Sequence, residues 1–124
     1  MRSCVFVALC LFSISSISSN VDAAQFSGGY LLKVCSVDKR GEEVIEGGKI
    51  ACQGYISGVI DYHNMLRATG LPAEMNFCIP ETETLNELHI RVLLYLYKNR
   101  KLHKSFVAAP AVTMALMDSY PCGK

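Results

Sequence analysis

Four cysteines, Cys35, Cys52, Cys78 and Cys122, constrain this 124-residue chain more than any other feature. They stand 17, 26 and 44 residues apart, which is too wide for the close C-x-x-C pairs of a structural zinc site. An even set at such spacing predicts two disulfides, provided the chain is exported to an oxidising compartment. The N-terminus supplies that condition. Arg2 precedes an unbroken apolar run at 4–12, a serine-rich stretch follows, and Val21-Asp22-Ala23-Ala24 puts compact residues at −3 and −1 of a cut after Ala23. This is the layout of a secretory signal peptide, and the run is too short to span a bilayer. Residues 1–23 are therefore expected to be a leader that takes Cys4 and Cys10 with it, and 24–124 the domain of a secreted or periplasmic protein.

The remainder reads as helix. Residues 26–35 put Phe26, Tyr30, Leu31 and Val34 on one side, and 36–48 is a polar loop broken by Gly41, Gly47 and Gly48. Over 49–69 the apolar positions Cys52, Tyr55, Ile56, Val59, Ile60 and Leu66 recur at steps of three and four, as one buried helical face requires. Gly54 and Gly58 lie on an adjacent face. Each costs about 1 kcal/mol in a helix interior, and close approach of another helix is the expected compensation. Gly70 and Pro72 end this helix.

Thr84 and Glu87 form a T-x-x-E capping box. The helix behind it carries Leu85, Leu88, Val92, Leu93, Leu96 and Tyr97 on its apolar side and runs out in Lys98, Arg100, Lys101, His103 and Lys104. A last helix over 106–120 tolerates Pro110 only in its first turn. The expected fold is all-α: a compact bundle of four helices, one short and three longer, stapled by two disulfides. Helices joined by short loops lie antiparallel, which sets the start of the third, near Cys78, beside the end of the fourth, at Cys122. Cys35 ends the first helix and Cys52 lies in the first turn of the second. Of the three pairings that four cysteines permit, this topology selects Cys35–Cys52 and Cys78–Cys122.

Twelve Lys and Arg against eleven Asp and Glu leave a formal charge of +1, without the basic surplus of a nucleic-acid binder. Chemistry is sparse. His63, His89 and His103 lack the spacing of three or four that helix-borne metal ligands need. Ser57 lies inside a helix and outside any G-x-S-x-G elbow. Glu42, Glu43 and Glu46 read as a solvated loop, and Glu81 and Glu83 as favourable charges near a helix N-terminus. No enzyme activity, metal or cofactor is expected. Two segments are candidate partner contacts: the loop carrying Leu71, Met75 and Phe77, because loops on rigid scaffolds carry recognition, and the basic set Arg91, Lys98, Arg100, Lys101 and Lys104. Those cations alternatively do no more than stabilise a helix C-terminus.

Several of these residues also form a pattern. Gly29-Tyr30-Leu31-Leu32-x-x-Cys35, Cys52-Gln53-Gly54-Tyr55-Ile56-Ser57-Gly58-Val59-x-Asp61, Cys78-Ile79-Pro80, the capped helix ending in Tyr95-Leu96, Ala115-Leu116 and Tyr120-Pro121-Cys122 resemble the Rap/Tai immunity-protein family, over nearly all of 26–122. The resemblance implies a periplasmic, mostly helical, disulfide-containing homodimer. It also implies a partner, a peptidoglycan amidase effector delivered by a type VI secretion system, which the protein blocks sterically without performing a reaction. No nucleic-acid partner is expected, and no membrane contact once the leader is removed. The competing class is a general periplasmic helper, such as a small acid-stress chaperone or an envelope structural protein. Two departures from the pattern, Glu87 where glutamine is frequent and Arg100 and its neighbours where proline is frequent, fall in the region expected to face a partner.

Overall fold

The computed structural model describes residues 26–71 and 75–123. Five helices follow in order: α1 (Gly28–Cys35), α2 (Gly48–Ala68), α3 (Leu85–Lys98), α4 (Arg100–His103) and α5 (Ala108–Ser119). Among the described residues β structure is confined to two isolated bridges, Ser27 to Val107 and Val37 to Glu43. The expected leader, 1–23, lies outside the described residues.

Helix ends follow from side chains that satisfy the orphan backbone groups of the first and last turns. α1 begins two residues later than the apolar pattern implies, because Ser27 is extended and its side chain caps the Tyr30 N–H at 3.1 Å. Phe26 is committed elsewhere: its carbonyl accepts from the Ala108 N–H at 2.8 Å, while the Gly28 N–H donates to the Phe106 carbonyl at 2.7 Å. These bonds lace the start of α1 to the start of α5. α2 has no capping side chain of its own. Instead the Glu43 carboxylate reaches forward and accepts from the N–H groups of Gly47 and Lys49, at 2.8 and 3.0 Å, placing negative charge where the helix dipole favours it. Gly70, with φ of 72°, turns the chain out of α2, and the Leu71 N–H closes on the Leu66 carbonyl at 3.0 Å. The Thr84–Glu87 capping box at the head of α3 is present in both directions.

The four-helix expectation needs one correction: the stretch running into the basic residues is two helices. Asn99 divides it. Its N–H serves the carbonyls of Tyr95 and Tyr97, and its side-chain amide donates to the Tyr95 carbonyl at 3.0 Å. A short polar side chain that bonds the preceding turn competes with helix continuation, so α3 stops and the four-residue α4 starts afresh. α5 opens at Ala108 with Pro110 in its first turn, where the missing N–H leaves no bond broken.

The core joins Leu31 and Val34 of α1, Ile56 of α2, Leu88, Val92 and Leu96 of α3, and Ala111, Val112, Ala115 and Leu116 of α5. The alanines of α5 let it lie close against α3. Both expected disulfides are formed, with Cα separations of 5.1 Å for Cys35–Cys52 and 4.8 Å for Cys78–Cys122. The first is buried within the core, whereas Cys78 is exposed and Cys122 half-buried. The Cys78 N–H donates to the Tyr120 carbonyl at 2.8 Å, so the second bridge and a backbone bond pin the same two segments.

All three histidines are buried. His103 packs beneath Gly28, where an added Cβ would sit 2.7 Å from the His103 carbonyl oxygen, and its Nε2 has no partner. Burial holds the His103 imidazole below its ordinary value of 6.5. Below pH 6.5 the unfolded chain therefore takes up a proton that the folded protein resists. Stability present above pH 6.5 is lost as the pH falls from there to the lowered folded value, with no further change from this group below it. Denaturation midpoints at pH 7.5 and 5 should differ more in the native sequence than in His103→Asn, and equal differences would remove His103 as the source.

Candidate docking surface

α2 buries Cys52, Ile56 and His63 and turns its next face towards the start of α5. Between them lies an open groove of about 750 Å³. Tyr55, Val59, Tyr62 and Leu66 line it from α2, Ala109, Pro110 and Thr113 from α5, and Met75 from the loop beyond α2. Gly54 and Gly58 form its floor.

Those glycines are not where another helix approaches, as the sequence suggested. A Cβ built on either meets nothing within 4 Å. Neither has a positive φ; among the described residues that conformation is confined to Gly41, Gly47 and Gly70. By contrast, a Cβ on Gly29 would strike the Lys104 carbonyl oxygen at 2.7 Å, so the close approach in this fold occurs at α1 against the end of α4. Gly54 and Gly58 therefore weaken α2 without serving either backbone geometry or internal packing. What they leave is an uncovered apolar recess.

The walls are held by aromatic contacts. Phe26 stacks on Tyr55 with ring centroids 4.8 Å apart and meets Tyr30 edge-on at 5.0 Å. Burial raises the Tyr55 phenol above its ordinary value, only partly offset by the Ala109 backbone, so this wall is neutral at physiological pH. His63 secures the far end: its ring stacks on Phe77 at 3.9 Å and its Nε2 donates to Asn76 Oδ1 at 3.1 Å.

The residues singled out in the sequence separate into different places. Met75 lines the groove and Leu71 is exposed, but Phe77 is buried under His63 and anchors the loop. Arg91 lies over the Tyr120 ring at 5.5 Å, midway along α3. Lys98, Arg100, Lys101 and Lys104 are exposed at the far end of α3 and around α4, outside the groove. The apolar pattern of the sequence put Tyr55, Val59 and Leu66 on the buried face of this helix, whereas they are only half-buried and line the groove; Tyr62, Ala109 and Thr113 were not singled out, although the two glycines marked the spot. One ring nitrogen of His89 lies within 4.8 Å of both sulfurs of Cys35 and Cys52. Those sulfurs are bonded to each other, and His89 Nε2 donates to the Cys35 carbonyl at 2.9 Å, so the trio is accounted for by the disulfide and one hydrogen bond.

The described lining of this open recess is mainly apolar, a surface that suits docking of a partner. The family model of the Rap1a immunity proteins matches residues 27–122, which takes in every helix and both disulfides. The chain belongs to the Rap1a immunity family. No curated protein and no solved structure matches it. Membership makes it an immunity protein for a secreted effector. No described helix of this Rap1a protein is long and apolar enough to cross a membrane.

Proposed function

We propose that this Rap1a protein acts in the periplasm, after loss of residues 1–23, as the antidote to a peptidoglycan amidase injected by a type VI secretion system, and that the amidase docks in the α2–α5 groove. The observation that carries the proposal is the pair of helix-interior glycines that opens the groove floor. A segment of the effector laid between Tyr55, Val59 and Tyr62 on one side and Ala109 and Pro110 on the other buries apolar surface from both partners. That burial is the main driving force for association, and a recess between helices is where a helix or loop of a partner is commonly received. The protein performs no reaction; it covers the enzyme's substrate cleft by bulk. A homodimer, which the sequence resemblance implies, is proposed alongside, and sedimentation equilibrium of the oxidised protein reads it directly.

The test is stoichiometric. Periplasmic protein should co-purify with an amidase produced by the same cells, and cell-wall hydrolysis by that amidase should stop at an equimolar ratio. Hydrolysis that continues unimpaired at that ratio rejects the immunity proposal and favours a general envelope helper, which would bind unfolded chains loosely and without fixed stoichiometry.

A further inference from the structure

α3 is apolar on two sides. Leu88, Val92 and Leu96 face the core, whereas Ile90, Leu94 and Tyr97, at steps of four and three, form a second stripe that faces outward. Leu94 is 63% exposed and Tyr97 61%, and Leu102 on the following α4 is exposed at 65%. A helix covering a core on one side has no folding reason for a second apolar face.

The charges along this surface are one-sided. Residues 88–117 contain Arg91, Lys98, Arg100, Lys101 and Lys104 and no Asp or Glu, although the whole chain is nearly neutral. Among the described residues the one ion pair joins Arg40 to Asp38, in the 36–47 loop, so Lys98, Arg100, Lys101 and Lys104 form no ion pair there; Arg91, which has Glu87 beside it on α3, is the exception in having a carboxylate near. Lys98, Asn99, Arg100, Lys101 and Leu102 together line a shallow hollow of about 410 Å³. Arg100 is held there, 4.9 Å over the Tyr97 ring and donating to the Tyr97 carbonyl at 3.1 Å.

We propose that this face rests on an anionic phospholipid surface, with Leu94, Tyr97 and Leu102 at the headgroup level and Lys98, Arg100 and Lys101 on the phosphates. Protruding apolar side chains alternating with long cations are what an interfacial helix presents: the aliphatic stems lie along apolar surface and the charged heads reach the phosphates. A second copy of the chain is a poor occupant, because self-packing would set these cations against their own equivalents. The effector is already assigned to the groove by the proposed function, on which this step rests, and α3 contributes no residue to that groove. The contact is peripheral and revises the expectation that the mature protein avoids membranes.

The test uses protein exported with its disulfides formed and confirmed by mass to lack residues 1–23, since an attached leader would itself bind lipid. Vesicles of phosphatidylcholine with phosphatidylglycerol should sediment the protein at low salt, pure phosphatidylcholine vesicles should not, and high salt should release it. At roughly fivefold for each cation lost, K98E with K101E should weaken binding about 25-fold or more. Leu94→Ser with Leu102→Ser should weaken it about tenfold; all four positions are exposed, and thermal melts verify the fold. Absence of binding to the anionic vesicles overturns the proposal. So does binding that either pair leaves unchanged, and so does loss of effector binding or dimerisation in these variants with vesicle binding intact, which would assign the face to a protein.

Discussion

Replacing Cys35 and Cys52 together by alanine is expected to lower the unfolding free energy by about 5 kcal/mol, enough to leave the domain partly unfolded at 37 °C. Closing a loop of 17 residues restricts the unfolded chain by about 3 kcal/mol. The remainder, roughly 1–2 kcal/mol, comes from removing two sulfurs from a site that is buried within the hydrophobic core and refills only in part. The comparison bridge separates these contributions. Cys78–Cys122 closes 44 residues, worth about 4 kcal/mol on the same basis, but its sulfurs are near the surface and add little packing. Serine at both those positions should therefore cost about 4 kcal/mol, on the order of 20 °C in melting temperature for a domain of this size. Urea unfolding of the two double variants reads both values. If the Cys35/Cys52 variant proved the more stable of the two, the core around that bridge would be shown to close over the missing sulfurs.

Much of this architecture was legible beforehand because its determinants are local or covalent. Thr84 and Glu87 are three residues apart and cap α3 with no help from the rest of the fold. The cysteine pairing followed from short loops forcing neighbouring helices antiparallel. The division at Asn99 was less accessible, since asparagine both ends helices and occurs within them, and the bond from its amide to Tyr95 is what makes it a stop here. Ser27 misplaced the start of α1 for a related reason: Phe26 fits the helical pattern, but its carbonyl is claimed by Ala108, some eighty residues away. The groove was legible only in part. Gly54 and Gly58 were visible as an energetic anomaly, and the anomaly was assigned to the wrong cause, because composition cannot tell a glycine under a neighbouring helix from one under solvent. Phe77 shows the converse: a large apolar residue in a loop reads as a contact, and here it is buried beneath His63.

That ambiguity makes the glycines the sharpest test of function. Gly58→Ala should stabilise the protein by up to about 1 kcal/mol, because alanine restricts the unfolded chain and its methyl meets nothing within 4 Å. Gly58→Leu should fold with unimpaired stability for the same reason, yet its side chain would occupy the groove between Tyr55, Tyr62 and Pro110. A contact at the centre of an interface is commonly worth 2 kcal/mol or more, so blocking it should weaken inhibition of the effector by about 30-fold or more. Stability and function are thus expected to move in opposite directions at one position, which a purely structural role for Gly58 cannot produce. Damage to the fold would lower both together. A Gly58→Leu protein that melts normally and still arrests the amidase at an equimolar ratio would show that the effector sits elsewhere, and the glycines would then need another reason to persist in a helix that is weaker for having them.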